Sequence, residues 1–198
     1  MDKVEILKSL HKKWLAECTC ALRKTATQCV HGDGNANAQV VFIGEAPGAK
    51  EDKEGRPFVG SAGKFLAEML ESINMKREDI YITNIVKYRP PDNRDPSPEE
   101  ISACAEWLAE EIRLIDPALI VFLGRHSMSR YFPNEKIVDA HGKLIVATLF
   151  GKQRNFLPLY HPAATFYNGS LREVLKEDFK KIPQILRVIR NKNYTIPN

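Results

Sequence analysis

The sequence predicts an α/β fold with three layers (α/β/α), in which helices cover both faces of a central, mainly parallel, four-stranded sheet. Two observations lead to this prediction. Four short apolar runs, each suited to a buried strand, are separated by segments with apolar residues at helical spacing. Glycine or polar residues follow these runs. Strands that alternate with helices form right-handed βαβ units, whose sheets are mainly parallel and covered on both faces.

The first half of the chain supplies two helices and two strands. Apolar residues recur at helical spacing over residues 3–17, which predicts a first helix. A short apolar run over 38–43 ends at Gly44 and suits a buried strand. Residues 61–73 place their larger apolar side chains on one side, as an amphipathic helix does. Residues 79–86 are predicted to form the second strand.

The second half continues the alternation. Pro98 stands where proline is favoured, in the first turn of a predicted helix over 98–115. The apolar run 119–123 is the third strand. The remaining elements are a helix over 126–132, a peripheral strand over 144–149, a core strand over 155–160 and a last helix from about 170 to 188. We predict one domain over residues 1–198, with an N-terminal helix and a cysteine-bearing segment (1–35) packed on it.

The composition is that of an ordinary globular protein, with 43% hydrophobic and 27% charged residues in a chain of 198. A net charge of +4 only mildly favours a polyanionic partner. No apolar run approaches the roughly 18 residues that a membrane span needs. The acidic N-terminus lacks the apolar stretch of a secretory signal. We therefore expect a cytoplasmic monomer with no membrane partner.

Four unusual segments each follow a predicted core strand. They are residues 44–48, 84–96, 124–127 and 161–164. In open parallel sheets, ligands bind outside the carboxyl ends of the strands. We therefore expect the four segments to converge at one edge of the sheet and to form one active site.

Together these segments resemble the family 4 uracil-DNA glycosylases of the uracil-DNA glycosylase superfamily. The matching stretches, in the order found in that family, are residues 44–48, 51–52, 55–60, 82–87, 89–94 and 161–162. The resemblance extends from about residue 17 to about residue 185. It implies a uracil-DNA glycosylase fold and a DNA-repair enzyme. Such an enzyme flips uracil out of single- or double-stranded DNA and hydrolyses its N-glycosidic bond, which leaves an abasic site for base excision repair.

The resemblance implies that four residues bind uracil. The backbone N–H of Ala46 reaches a uracil carbonyl, and the ring of Phe58 stacks on the base. The carboxamide of Asn84 pairs with uracil N3–H and O4, a pattern that cytosine reverses, provided that the amide is held in one orientation. His161 donates a hydrogen bond to uracil O2 as negative charge develops there. The alternative is purely structural, with Phe58 as a loop plug and Asn84 as a strand-end cap.

The residues that activate water are less well defined by the sequence. In the best-known branch of the superfamily an aspartate stands at the position that is Ala46 here. Glu45 and Glu51 are the nearby carboxylates. We expect them to orient the water or to stabilise the cationic sugar, with a solvated loop position as the alternative for each.

Five residues are expected to contact DNA. Arg89, Asn93 and Arg94 lie in a proline-rich loop suited to phosphate contacts. Ser127 lies in a segment that precedes a helix and offers N-terminal amides to a phosphate. Phe166 follows the His-Pro motif and is the expected wedge in the base stack. Ordinary loop and capping roles are the alternative for the first four.

The cysteines depart from the family pattern. Family 4 enzymes usually hold a [4Fe-4S] cluster with a C-x-x-C pair, a cysteine before Arg-Pro-Pro and a cysteine in the next helix. Here the pair is C-x-C, Cys18 and Cys20, and Tyr88 stands before Arg-Pro-Pro. Cys104 matches the fourth ligand, and Cys29 is an additional cysteine. Either Cys18, Cys20, Cys29 and Cys104 hold a relocated cluster, or the cluster is lost and Tyr88 fills its space.

Three other functions compete with this one. A phosphate-loop ATPase fails, because Phe58 and Phe65 occupy positions where the G-x-x-x-x-G-K-[ST] motif needs glycine and Ser/Thr. A non-catalytic damage-binding module would explain Ala46 and the altered cysteines. A glycosylase for another deaminated or mismatched base differs only in pocket detail, and Gly48 leaves the usual 5-methyl-blocking position without a side chain.

Overall fold

A six-stranded sheet lies at the centre of the structure, a computed structural model that describes residues 2–149 and 151–193, with the side chains of 192 and 193 outside that description. The strands are β1 (Asp33–Gly34), β2 (Val40–Gly44), β3 (Tyr81–Asn84), β4 (Leu119–Leu123), β5 (Ile145–Leu149) and β6 (Lys152–Leu159). Their spatial order is β1-β3-β2-β4-β6-β5. The predicted single domain over 1–198 therefore includes a few residues, 1, 150 and 194–198, that lie outside the described part.

The four central strands are parallel, as predicted. β2 lies between β3 and β4, and β6 pairs with the other side of β4. Val41 is in register with Tyr81 and with Ile120, which in turn is in register with Phe156. The two edge strands run antiparallel: β5 was expected as a peripheral strand, and β1 was not expected. The sheet therefore has two more strands than the four parallel ones at its centre.

Helices cover both faces, which confirms the three-layer prediction. The helices are α1 (Lys3–Glu17), α2 (Ala49–Glu54), α3 (Ser61–Ser72), α4 (Pro98–Ile115), α5 (Arg125–Ser129), α6 (Ile137–Ala140), α7 (Ala164–Tyr167) and α8 (Leu171–Asn193). α3 and α8 pack on one face of the sheet, and α1 and α4 pack on the other. No helix in the described part of the chain is long and apolar enough to cross a bilayer.

Alternating side chains of each strand supply the two cores. In β2, Val40 and Phe42 face α3 and α8, while Val41 and Ile43 face α1 and α4. The ring of Phe42 stacks on that of Phe179 in α8, with 5.9 Å between the centroids. Each such buried side chain stabilises the fold by roughly 1.5–3 kcal/mol relative to exposure. Buried on both faces, β2 and β4 therefore carry no polar side chain.

Capping fixes the start of α4. The Ser97 hydroxyl accepts from the Glu100 N–H, and the Glu100 carboxylate accepts from the Ser97 N–H. Such a cap contributes about 1 kcal/mol. The helix ends at Ile115, and the next residue, Asp116, caps it with a left-handed φ of 52° and an N–H that donates to the Ile112 carbonyl.

Candidate active site

A cavity of about 410 Å³ opens at the carboxyl edge of the parallel strands. β2 ends at Gly44 and β3 at Asn84, and His161 follows two residues after the end of β6. The predicted residues that line the cavity are Glu45, Ala46, Glu51, Phe58, Asn84, Asn93, Arg94 and His161. Three of the four predicted segments thus meet here, and the fourth reaches the cavity through His126, whose Nε2 is 3.8 Å from Glu45 Oε2.

Asn84 is the polar group deepest in this site. The residue is only 2% exposed, and its Oδ1 is buried with no hydrogen-bond partner among the described residues. A buried acceptor without a partner costs about 1–3 kcal/mol. Gly44 leaves room for this amide, because a Cβ there would collide with Asn84 Oδ1 and would lie 2.7 Å from the Phe58 ring. The site therefore presents an unsatisfied acceptor beside an aromatic ring.

Phe58 holds its ring at the cavity from a strained backbone position. Its φ of 52° is left-handed, which non-glycine residues rarely adopt. Its ring lies 5.7 Å from the His161 ring, tilted by 34°. The side chain is buried and also contacts the core of the α3 and α8 face. The geometry is therefore compatible with both interpretations of Phe58, as a ring that stacks on the base and as a side chain that anchors the loop to the core.

Glu51 of α2 supports the loop that carries Phe58. Its Oε1 accepts hydrogen bonds from the Val59 N–H at 2.9 Å and from the Gly60 N–H at 2.7 Å. A Cβ on Gly48 would lie 2.9 Å from Glu51 Oε2, so the carboxylate occupies the space beside that glycine. One oxygen of Glu51 is committed to the loop, and the other lies beside Gly48.

His161 is neutral in this site and has a defined tautomer. Its Nδ1 accepts a hydrogen bond from the Ala163 N–H at 3.1 Å, so the proton of the neutral ring is on Nε2. Burial lowers the pKa of His161 to about 4, and nearby Glu51 only partly offsets this effect. Gly124, with φ of 97°, lets the chain approach closely, because a Cβ there would lie 2.9 Å from the His161 Cβ.

Glu45 shares the cavity mouth with two groups that the sequence did not pair with it. Burial raises the pKa of Glu45 to about 7, and neighbouring Asp95 adds to the rise. His126 Nε2 lies 3.3 Å from Asp95 Oδ2. Ligand atoms of Glu45, Asp95 and His126 lie within 4.8 Å of one another, a spacing that suits a cation. Arg125 Nε, however, donates to His126 Nε2 at 2.9 Å and so takes the lone pair that a metal would need.

The predicted DNA contacts differ in how free their side chains are. Arg89 Nε donates to Asn93 Oδ1 at 2.8 Å. Arg94 forms a two-pronged ion pair with Glu100, at 2.7 and 2.8 Å. Ser127 is fully buried, and its hydroxyl donates to the Gly124 carbonyl. The side chain of Ser127 is thus directed inward, and the predicted contact, which uses backbone N–H groups of this segment, stays a prediction.

Two aromatic residues of α7 stand beside the cavity. Phe166, the predicted wedge, is 53% exposed. Its neighbour Tyr167 is 93% exposed and lines the cavity, a position that sequence reasoning did not single out. A large aromatic side chain that is exposed next to a cavity is suited to insertion into a base stack.

A buried ion pair fixes the end of β3 beneath the cavity. Lys87 Nζ lies 2.5 Å from Glu111 Oε2, donates to the Thr83 hydroxyl and donates to the Asn84 carbonyl at 3.3 Å. Burial alone raises the pKa of Glu111, but the positive charge of Lys87 and contact with His11 outweigh it, so the pKa lies well below its usual range. Removing one partner of such a pair costs about 3–5 kcal/mol. This pair holds the backbone of Asn84.

The four cysteines surround an aromatic side chain. Cys18, Cys20 and Cys104 belong to one buried cluster with Tyr88, which is 3% exposed, and Cys29 packs against that cluster. Trp14, in the same cluster, donates from Nε1 to Cys29 Sγ at 3.1 Å. Tyr88 thus lies among the thiols where a family ligand would stand. These residues do not fit the usual four-thiolate set, because a ring occupies one ligand position.

The sequence of this chain is similar to those of known proteins. The model of the Uracil DNA glycosylase superfamily matches residues 31–187. Similar proteins include the type-4 uracil-DNA glycosylase of Sulfurisphaera tokodaii, which is 44% identical over 99% of this chain and 90% of its own length. That of Archaeoglobus fulgidus is 47% identical over 84% of this chain and 86% of its own. The type-4 uracil-DNA glycosylase of Thermotoga maritima is 40% identical over 92% of this chain and 96% of its own length.

Proposed function

The chain belongs to the uracil-DNA glycosylase superfamily, and we propose that it is a type-4 enzyme that hydrolyses the N-glycosidic bond of uracil in DNA, leaving an abasic site for base excision repair. The observation that carries the proposal is the buried, unpartnered Oδ1 of Asn84 beside the ring of Phe58. Uracil offers an N3–H to such an acceptor, whereas cytosine presents an unprotonated N3 there. A monomer is sufficient, because all of these residues come from one chain.

Base recognition combines stacking with hydrogen bonds. DNA glycosylases extrude the target nucleotide into a pocket and read its Watson–Crick edge there. Phe58 stacks on the flipped base, which contributes about 1–3 kcal/mol. Asn84 accepts from N3–H and donates to O4. The backbone N–H of Ala46, at the cavity wall, is the donor for a second carbonyl.

His161 stabilises the departing base. As the C1′–N1 bond breaks, its electron pair leaves with uracil, and negative charge builds up on O2. The Nε2–H of neutral His161 donates to that oxygen. Because the pKa of His161 lies near 4, the ring is uncharged at neutral pH. The one proton of the neutral ring, on Nε2, serves as the hydrogen-bond donor. A preorganised donor of this kind is worth about 2.7–4 kcal/mol.

Water completes the reaction. We assign the activation of water to Glu45, because one oxygen of Glu51 is already committed to the Val59 and Gly60 N–H groups. The water oxygen bonds to C1′ of the cationic sugar, and Glu45 accepts the proton that the water loses. Glu51 contributes negative charge near the sugar and supports the Phe58 loop.

The pKa of Glu45 predicts the pH dependence of the reaction. A base must be ionised, and burial together with Asp95 raises the pKa of Glu45 to about 7. We expect kcat/KM to rise about tenfold per pH unit below pH 7 and to level off above it. Glu45→Gln should have a lower kcat/KM without this rise. An unchanged acid limb in Glu45→Gln, with DNA binding constant across the range, would contradict the assignment.

The DNA surface follows from the exposed groups around the cavity mouth. Arg89 is half-buried, and its Nε donates to the Oδ1 of exposed Asn93. Arg94 keeps its positive charge while it is paired with Glu100. A DNA phosphate that contacts Arg94 therefore shares its guanidinium group with the Glu100 carboxylate. We propose that Tyr167, with Phe166 beside it, enters the base stack, because Tyr167 is the more exposed ring and borders the cavity.

We also propose that this chain holds no iron–sulfur cluster and that packing around Tyr88 replaces it. Tyr88 stands at a usual ligand position and is buried among Cys18, Cys20 and Cys104. Protein purified without oxygen is expected to contain far fewer than the four iron atoms per chain of a complete cluster and to lack the broad absorbance near about 400 nm. Four iron atoms per chain with that absorbance would show that the relocated set of four cysteines holds a cluster.

A pair of variants tests the packing part of this proposal. Tyr88→Ala is expected to lower the free energy of unfolding by about 3–5 kcal/mol, as for other buried aromatic residues. Tyr88→Phe is the matched control, because it keeps the ring and removes only the hydroxyl, which interacts with the thiols of Cys18 and Cys29. It should change the free energy by less than about 1 kcal/mol. Equal losses in the two variants would mean that the hydroxyl, not the ring, is what the site requires.

An oligonucleotide assay tests the proposed function and its alternatives. The protein is incubated with labelled DNA that carries one uracil, and abasic sites are then cleaved with alkali. Thymine, cytosine and hypoxanthine substrates, single- and double-stranded, are run in parallel. Uracil-dependent cleavage supports the proposal. Cleavage at hypoxanthine or thymine alone indicates another base specificity, and DNA binding without any cleavage indicates a damage-binding module.

A further inference from the structure

The loop that carries Phe58 is held from both sides. Phe58 has a left-handed φ of 52°, a conformation that must be stabilised by its surroundings. On one side, Glu51 accepts from the two N–H groups that follow, those of Val59 and Gly60. On the other side, the Phe58 carbonyl lies against Gly63 of α3, where any Cβ would collide with it. The position of the ring therefore depends on contacts to its own backbone.

Arg77 supplies the contacts to the carbonyl groups. It lies in a short 3₁₀ helix (Arg77–Asp79) before β3. Its Nη1 donates to the Phe58 carbonyl at 3.0 Å, and its Nη2 donates to the Pro57 carbonyl. One guanidinium thus ties together two successive carbonyl groups, with the rigid fork geometry that arginine offers and lysine lacks.

Asp33 directs this guanidinium from the edge strand β1. Its Oδ2 lies 3.6 Å from Arg77 Nη2 and 2.9 Å from Arg56 Nη2. Arg56 also donates to Asp33, from Nε and Nη2, and in the described part of the chain it makes no hydrogen bond to the Phe58 or Pro57 carbonyl. The two arginines therefore share one carboxylate, and Arg77 is the one with hydrogen bonds to the loop.

We propose that Arg77 is a positioning residue for base recognition: it fixes the Phe58 loop, and through it the ring that stacks on the flipped base. The inference rests on the proposed function, because it assigns the stacking role to Phe58. Arg77 does not line the cavity, and its side chain is 29% exposed, so it is neither a substrate contact nor a core residue. Its effect on the reaction passes through Phe58.

A double-mutant cycle tests this role. Uracil excision and inhibition by free uracil are measured for wild type, Arg77→Ala, Phe58→Ala and the double variant. We expect Arg77→Ala to lower kcat/KM roughly tenfold to hundredfold, the range for loss of one base stack, and to raise the inhibition constant of uracil in parallel. In the Phe58→Ala background, Arg77→Ala should add less than about threefold, because the two residues act as one unit.

Arg56→Ala is the matched control, since it removes the other partner of Asp33 and leaves the loop contacts in place. The kcat/KM of Arg56→Ala should stay within about twofold of that of wild type. Arg77→Lys keeps the charge beside Asp33 but loses the fork. Its kcat/KM should lie between those of wild type and Arg77→Ala. It replaces Arg77→Ala in the test if the alanine variant unfolds. Thermal melting of each variant shows whether it is folded at the assay temperature.

The outcomes separate this inference from the proposed function. An active wild type, with equal effects of Arg77→Ala in both backgrounds or with Arg77→Ala no worse than Arg56→Ala, would overturn the positioning role alone. A folded wild type that neither excises uracil nor is inhibited by it would overturn the proposed function, and this inference with it.

Discussion

Asn84→Ala is expected to abolish most uracil excision, with a loss of roughly 10²–10⁴ in kcat/KM, because two hydrogen bonds to the base are removed at about 1–3 kcal/mol each. The wild-type side chain has a buried Oδ1 without a described partner, at the end of β3 and next to Gly44. Single-turnover excision of uracil from a defined oligonucleotide measures the loss. DNA binding should remain within about threefold, since phosphate contacts supply most of it.

Asn84→Asp is the matched variant for the same prediction. It keeps the size of the side chain and its acceptor oxygens but cannot donate to uracil O4 when ionised. We expect a loss of excision comparable to that of Asn84→Ala at neutral pH. If Asn84→Asp instead retained wild-type excision, pairing of the amide with both N3–H and O4 would be wrong.

His161→Ala is expected to lower the rate of bond cleavage by roughly 10²–10³, the loss for one preorganised donor, while DNA affinity changes little. The reason is the fixed tautomer: Nδ1 accepts from the Ala163 N–H, which leaves Nε2–H for the base. His161→Gln retains an amide N–H and should recover part of the rate. The measurement is the single-turnover rate at saturating enzyme.

The pH profile gives a second check on His161. Its pKa lies near 4 because burial disfavours the charged ring, so the donor is neutral throughout the range above about pH 5. The titration of His161 should therefore contribute no change in rate between pH 6 and 8. A rate loss on raising the pH through this range that vanishes in His161→Gln would show that the active form is the charged ring and would contradict the account.

The sheet and the residues at its strand ends were predictable because local patterns encode them. The apolar run ending at Gly44 marked one strand end, and the strand before His161 marked another. The strand predicted over 79–86 is shorter, because β3 ends at Asn84. Parallel pairing then brings these ends together without any knowledge of side-chain contacts. The bounds of α1, α4 and β4 also agree with prediction, since long periodic segments and short buried runs are the clearest signals.

Residues that act through distant partners were not predictable in the same way. β1 has two residues and no periodicity, so nothing local shows that Asp33 meets Arg77. The pairing of Glu45 with Asp95 depends on how the loop after β3 folds back, and the raised pKa of Glu45 exists only after burial. Ser127 lies within the short helix α5 with its side chain buried, which nothing local to the sequence shows, and its backbone contact with a phosphate stays a prediction.

The most direct test of the account is to identify the base that the protein releases. Wild type and Asn84→Ala, both folded, are incubated with DNA containing uracil, and the free bases and abasic sites are quantified. The account predicts free uracil from wild type, in equal amount to the abasic sites formed, and almost none from Asn84→Ala. Release of no free base by wild type, or equal release by Asn84→Ala, would contradict it.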